Sequence, residues 1–226
     1  AQAWAQARAQ AGGPKNPKNK KKLYYYFFSN KFSKLLLINL RHSSEMLRQI
    51  IKLTQNNIFE TQPLDKKLIC SCRGASLLFL SLLRSKNIPA RLRVGFVTYH
   101  PIANFNMDHV IVEFYDDSSS RTYWADILVT ETFKQKNKKN ITLNALNIQK
   151  DQFIPAETAW LSVRNNREVA ESYGVGLFKS RKGLFTIRNK LLHELCARLK
   201  IEMLPGDLWG YMLFEGLSVA PTDAAQ

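Results

Sequence analysis

Apolar residues recur at helical spacing in three parts of the chain. Between residues 32 and 57 they return every three or four positions, which predicts one or two packed helices. From Cys72 to Lys86 they surround nearly the full circumference of a helix, so we expect this helix to be central. A third helical pattern runs from Leu184 to Ile201, and Pro205 and Gly206 end it.

Three strand patterns follow the central helix. The runs Ala90 to Tyr99, His109 to Tyr115 and Arg121 to Leu128 are rich in β-branched and aromatic residues. Turn-forming residues 116–120 join the last two runs, which predicts an antiparallel sheet. The expected fold is therefore α+β, with a central helix packed on an antiparallel sheet and helical extensions at both ends.

Composition narrows the class of protein without changing this picture. The 226 residues are 45% hydrophobic, which is enough apolar surface for one core with tails. No stretch approaches the roughly 18 apolar residues of a membrane span. The three cysteines Cys70, Cys72 and Cys196 form an odd set without the spacing of a disulfide framework, which favours a reducing, cytoplasmic location.

The formal net charge of +15 could attract nucleic acid, anionic lipid or an acidic protein. Much of the excess lies in the low-complexity runs 15–22 and 134–139, and no nucleic-acid readout motif accompanies it. We therefore interpret the charge as basic loops and expect no nucleic-acid partner. The histidines lack the spacing of metal ligands, so we expect neither a metal nor a cofactor.

Three residues could together carry out thiol catalysis. Such catalysis needs a thiolate, a histidine that moves its proton and a third group that orients the ring. Cys72 lies where a loop enters the central helix, so the helix dipole can stabilise a thiolate, and Gly74 leaves room for a substrate. His109 opens the second strand. Asp126 interrupts the apolar third strand, where an imidazole partner would offset the cost of a buried carboxylate.

Taken singly, these residues have ordinary structural interpretations. A cysteine in this position is more often a buried structural thiol than a nucleophile. A lone histidine at the start of a strand could equally be a strand-edge residue.

The order and spacing of the three residues resemble those of transglutaminase-like proteins, which share a papain-like Cys-His-Asp site. Residues 72–91, CRGASLLFLSLLRSKNIPAR, resemble the family signature in which a cysteine heads an apolar helix and a Gly-Ile-Pro-Ala-Arg turn follows, with Asn87 at the glycine position. The pair Gly95 and Phe96 and the strand 108–113 also agree with the family pattern. The resemblance selects Cys72, His109 and Asp126 as the catalytic residues.

This resemblance implies a cysteine hydrolase or acyltransferase that forms an acyl-enzyme on Cys72. It would act on a peptide, a protein or a small acyl or amide compound, as a peptidase, an amidase or a transamidase. Amide formation from a thioester donor and a catalytically inactive binding module with a basic surface stay open as alternatives. A second donor to the oxyanion could come from Gln55, Asn57 or Gln62.

Composition and resemblance together set the expected domain limits. We expect a disordered or tag-like basic tail over residues 1–22 and the transglutaminase-like catalytic domain over residues 23–178. Residues 179–226 would form a C-terminal helical extension packed on the same domain, and 183–210 resemble such an extension in some bacterial transglutaminase-like proteins. Four residues there could line a substrate pocket, although a packed terminal helix is the preferred interpretation: Arg188, Glu202, Asp207 and Trp209.

Overall fold

A computed structural model describes residues 36–55, 60, 62–63, 66–99, 102, 104–130, 133, 142–176, 181–201 and 203–213. The predicted basic tail, residues 1–22, and the basic run 134–139 lie outside the described residues. Within the described part of the chain, every helix is too short or too polar to cross a bilayer.

Two α-helices, four successive strands, an α-helix, a short strand and a last α-helix follow one another along the described residues. The α-helices are α1 Ser43–Thr54, α2 Cys72–Ser85, α3 Ala156–Arg164 and α4 Leu184–Arg198. The strands are β1 Ala90–Val97, β2 Asn106–Asp116, β3 Arg121–Ala125, β4 Phe153–Pro155 and β5 Tyr173–Gly174. Short 3-10 helices cover Leu36–Asn39, Ala170–Ser172 and Gly210–Leu213.

Four of the strands form an antiparallel sheet in the order β3-β2-β1-β4, and β5 adds a short parallel pairing to β2. Val94 lies opposite Val110 in the pairing of β1 with β2, and Val112 lies opposite Ala125 in the pairing of β2 with β3. Helix α2 packs on this sheet through Leu77, Leu80 and their apolar neighbours. The predicted α+β fold, with a helix on an antiparallel sheet, is confirmed.

Helix α2 is fixed to the sheet at its buried face. The Ser76 hydroxyl donates a hydrogen bond of 2.8 Å to the carbonyl oxygen of Val110 in β2. On the opposite face Leu82 is 66% exposed. Leu78 and Leu83 are partly buried against the core, so Leu82 is the exposed exception on a helix that otherwise packs centrally, as expected.

The end of α2 follows from its sequence. Asn87 adopts a left-handed conformation with φ 58°. Its N–H donates to the carbonyl of Arg84, and the N–H of Ile88 donates to the carbonyl of Leu83. These two bonds form a Schellman motif, in which asparagine is the next choice after glycine.

Several element limits differ from the sequence-based prediction. Strand β2 begins at Asn106, so His109 lies inside the strand instead of opening it. Strand β3 ends at Ala125, and Asp126 therefore follows the strand. Strand β4 and helix α3 were not predicted, since a three-residue strand is too short to show an alternating pattern.

Helix α4 packs against the edge of β1 where β4 stops. Strand β4 pairs only with residues 95–97 of β1, and just beyond it a Glu194 carboxylate oxygen accepts the N–H of Val94 at 2.5 Å. The other Glu194 oxygen accepts from Arg93 at 2.6 Å. Arg93 also contacts the carboxylates of Glu113 and Glu157, so its buried charge is compensated by three acids.

The close approach of β4 to β1 predicts that Gly95 cannot gain a side chain. A Cβ at this position would lie 2.3 Å from the carbonyl oxygen of Ile154 and 2.8 Å from the ring of Phe153. We expect Gly95→Ala to lower the free energy of unfolding by about 1–3 kcal/mol, measured by chemical denaturation.

Gly206→Ala is the matched control for this substitution. A Cβ at Gly206 would have no neighbour within 4 Å, so this variant should unfold close to the wild-type midpoint. Equal midpoints for the two variants would contradict the packing described for β4.

Candidate active site

Cys72 is the first residue of α2, and its side chain is half-buried. Ser71 caps the helix, because its hydroxyl oxygen accepts from the N–H of Gly74 at 3.4 Å. Cys70 lies in the preceding loop and is buried. The two neighbouring thiols therefore differ in exposure and in their relation to the helix.

Gly74 has a different role from the one expected. A Cβ on Gly74 would lie 2.9 Å from Cβ of Cys70 and 3.0 Å from the methyl group of Met46. The space beside Gly74 is thus filled by these two side chains and offers no room for a substrate. The expectation was wrong because the glycine faces the core and α1.

His109 and Asp126 are in direct contact. The Nε2 atom of His109 lies 2.9 Å from Oδ2 of Asp126, and both side chains are buried. The Cys72 side chain is close enough to the ring for its charge and hydrogen bonding to raise the pKa of His109. Because Nε2 faces the carboxylate, Nδ1 is the ring nitrogen left for the sulfur. The structure therefore brings Cys72, His109 and Asp126 together.

Two further donors satisfy the Asp126 carboxylate, which is 1% exposed. The hydroxyl of Tyr99 donates to Oδ2 at 2.6 Å, and the backbone N–H of Leu128 donates to Oδ1 at 2.9 Å. Sequence reasoning missed the role of Tyr99. Its one available signal was a tyrosine at the end of an apolar strand, since a buried tyrosine hydroxyl needs a polar partner.

The electrostatics of these groups favour an ionised pair. Burial acts to lower the pKa of His109, but the charges of Asp126 and Cys72 and the hydrogen bonds to both outweigh it and raise the pKa well above 6.5. Burial acts to raise the pKa of Asp126, but His109 and the hydrogen bond from Tyr99 lower it below 3.8. Burial and the Asp126 charge raise the pKa of Tyr99 well above 10, so its hydroxyl stays a donor.

A cleft with a cavity volume of about 40 Å³ opens beside Cys72. Strands β1 and β2 contribute Leu92, Val94, Asp108 and Val110 to its lining. Helix α4 and the segment after it contribute a second wall, which includes Lys190, His193, Lys200 and Leu204. The cleft is therefore shared between the sheet and the C-terminal part of the chain.

Asp207 holds the segment that follows α4. Its carboxylate forms an ion pair with Arg41 and accepts the N–H of Leu204 at 2.8 Å, while its carbonyl oxygen lies 3.0 Å from Nε2 of His193. Trp209 is about half exposed, and its ring N–H donates to the sulfur of Met203. Asp207 and Trp209, two of the four residues that could line a substrate pocket, therefore make contacts within this segment. A third, Arg188, stacks on the ring of Phe185. Glu202 lies outside the described residues.

The described part of the chain contains no candidate metal site. Nowhere among those residues do three histidine, cysteine, aspartate or glutamate side chains gather as a possible metal site.

The coupled shifts predict how the pair contributes to stability at different pH values. The pKa of Asp126 falls on folding, so its contribution is present above about pH 4 and is lost as the pH drops through the lowered value. The pKa of His109 rises on folding, so its contribution is complete below about pH 6.5 and is lost as the pH climbs through the raised value. The gap in unfolding free energy between wild type and Asp126→Asn should be widest between these limits.

Chemical denaturation across a pH series measures this gap. Asp117→Asn is the control, because Asp117 is exposed on the turn between β2 and β3. Its curve should run parallel to that of the wild type. A parallel curve for Asp126→Asn as well would exclude an ion pair at the site.

Comparison with known proteins identifies a family for this chain. A family model described as transglutaminase-like superfamily matches residues 5–126, which is more than half of the chain and includes Cys72, His109 and Asp126. No curated protein and no solved structure matches the chain. Papain-like cysteine enzymes make up this superfamily in general. On the extent of this match, the chain belongs to the transglutaminase-like superfamily.

Proposed function

We propose that this protein is a cysteine hydrolase or acyltransferase that forms an acyl-enzyme on Cys72. The observation that carries the proposal is the position of the His109 ring, whose Nε2 lies 2.9 Å from the Asp126 carboxylate and whose pKa is raised by both Asp126 and Cys72. A nucleophile, a base and a group that orients the base are the three parts that thiol catalysis requires.

Proton transfer prepares the nucleophile. The raised pKa of His109 favours an imidazolium beside a Cys72 thiolate, since the ring keeps a proton taken from sulfur. Asp126 stabilises the positive ring and holds its orientation through Nε2. Tyr99 in turn holds the carboxylate, and this sets which oxygen faces the ring.

Attack of the Cys72 sulfur on the carbonyl carbon of an amide forms the carbon–sulfur bond and moves an electron pair onto oxygen. The N–H groups of Gly74 and Ala75 bond to Ser71, so we assign the N–H of Cys72, at the start of α2, as an oxyanion donor. The dipole of α2 supports the same negative charge.

Collapse of this intermediate breaks the carbon–nitrogen bond, and the imidazolium of His109 gives its proton to the leaving amine. The acyl group remains on Cys72 as a thioester. Water then gives hydrolysis, and a second amine gives transfer, with His109 taking the proton of either nucleophile. Access to the cleft beside Cys72 decides between the two outcomes.

Substitution of the neighbouring thiols tests the proposal. We expect Cys72→Ala to abolish acyl-enzyme formation and Cys70→Ala to retain most of it. Burial raises the pKa of Cys70, so this thiol is a poor nucleophile near neutral pH. Intact-mass measurement after exposure to a panel of amide and thioester donors reports the acyl adduct directly.

Alkylation gives an independent readout for the same two thiols. Iodoacetamide at mildly acidic pH should label Cys72 first, because Cys70 and Cys196 are both buried. An active Cys72→Ala variant together with an inactive Cys70→Ala variant would move the nucleophile by two residues. A wild-type protein in which no thiol acylates or alkylates at this pH would instead favour a binding module.

A further inference from the structure

We propose that Lys190 makes the enzyme selective for acyl donors that carry a carboxylate close to the scissile amide, a role that rests on the function proposed above. Lys190 belongs to α4, which lies beyond the residues that match the family model. The preference for an anionic donor would therefore be supplied by the C-terminal part of this chain.

Lys190 and Cys72 line the same cleft. The cavity volume of about 40 Å³ corresponds to roughly three water molecules, since one needs about 10–15 Å³ measured in this way. That space suits the end of a short side chain. A donor whose carbonyl reaches Cys72 could thus place one small group against Lys190.

The charges around the cleft favour an anion. Four cationic side chains line it, and Asp108 is the one carboxylate among the lining residues: the cations are Arg73, Arg84, Lys190 and Lys200. His193 adds no charge at neutral pH, because burial and the neighbouring Lys190 lower its pKa to about 4. The lining as a whole is positive, and a small carboxylate would offset part of that excess.

Lys190 is the best placed of these cations. Its ammonium nitrogen lies 2.7 Å from Oδ2 of Asp108, and its side chain is only 6% exposed. An ammonium group has three donors, and Asp108 is its only ion-pair partner among the described residues. A donor carboxylate could accept a second hydrogen bond from the same nitrogen. Asp108 precedes His109 in β2, and successive strand residues face opposite sides of a sheet, so the bound anion would lie in the cleft with Cys72 and across the strand from the imidazole.

A purely structural role for the Lys190–Asp108 pair is less favoured by its surroundings. Helix α4 is already joined to β1 by Glu194, which bonds both the Val94 N–H and the Arg93 guanidinium. A second buried ion pair between α4 and the sheet costs desolvation and adds little further anchoring. Recognition of an anionic substrate would explain why the Lys190 side chain lines the cleft.

Matched alkylating probes test the preference without knowledge of the natural donor. N-chloroacetyl-glutamic acid α-amide and N-chloroacetyl-glutamine amide carry the same electrophile and differ in one carboxylate. The Cys72 sulfur displaces chloride from either probe, so intact mass over time gives both rate constants, and Cys72→Ala shows that the adduct is on this thiol. We expect the acidic probe to react about tenfold faster with the wild type, the size of one charged hydrogen bond.

Substitutions at Lys190 then identify the source of the preference. Lys190→Met should bring the two rates together by slowing the acidic probe alone, whereas Lys190→Arg should keep most of the difference. Lys150→Met, which removes an exposed lysine and the same net charge, should behave as wild type. The wild-type ratio should change little as salt is added, because a buried ammonium is screened only weakly.

The other possible results also decide whether Lys190 sets the preference for an acidic donor. Equal wild-type rates on a reactive Cys72, or a preference that survives Lys190→Met, would overturn the role of Lys190 and leave the proposed function standing. A Cys72 inert to both probes and to iodoacetamide would overturn the proposed function as well. If Lys190→Met fails to fold, the wild-type ratio and the Lys190→Arg ratio carry the test.

Discussion

The carboxylate of Asp126 is the constraint on which the geometry of the site depends. A buried negative charge is tolerated only where donors surround it, and this one receives a ring nitrogen, a hydroxyl and a backbone N–H. These donors come from β2, from the segment after β1 and from the turn after β3. Correct pairing of all three strands is therefore needed before His109 can lie against Cys72.

A second buried carboxylate, that of Glu194, serves a similar purpose at the edge of β1. It replaces the missing strand neighbour of Val94 and compensates the Arg93 charge. Helix α4 is thereby held at the sheet edge in one position. Because Lys190 lies one turn before Glu194 on the same helix, this anchor also determines where the second wall of the cleft stands relative to Cys72.

Sequence reasoning succeeded where the determining interactions are local. The left-handed turn at Asn87 and the start of α2 at Cys72 follow from neighbouring residues. The order of Cys72, His109 and Asp126 gave the resemblance to a family, and the family match confirms that resemblance. It failed for contacts between distant residues: Glu194 and Arg93 are 101 positions apart. The role of Tyr99 likewise depends on strand pairing, which no local pattern of residues reveals.

Charge illustrates the same distinction between composition and position. The net charge of +15 suggested attraction to polyanions, yet much of that excess lies in the runs 15–22 and 134–139, and exposed charges in general are screened beyond about 8 Å at physiological ionic strength. In the role proposed above, the buried ammonium of Lys190 would act at short range and in a lower dielectric, where screening is weak. One lysine on α4 would then influence the choice of donor more than the basic runs, because selectivity depends on charge close to the bound donor.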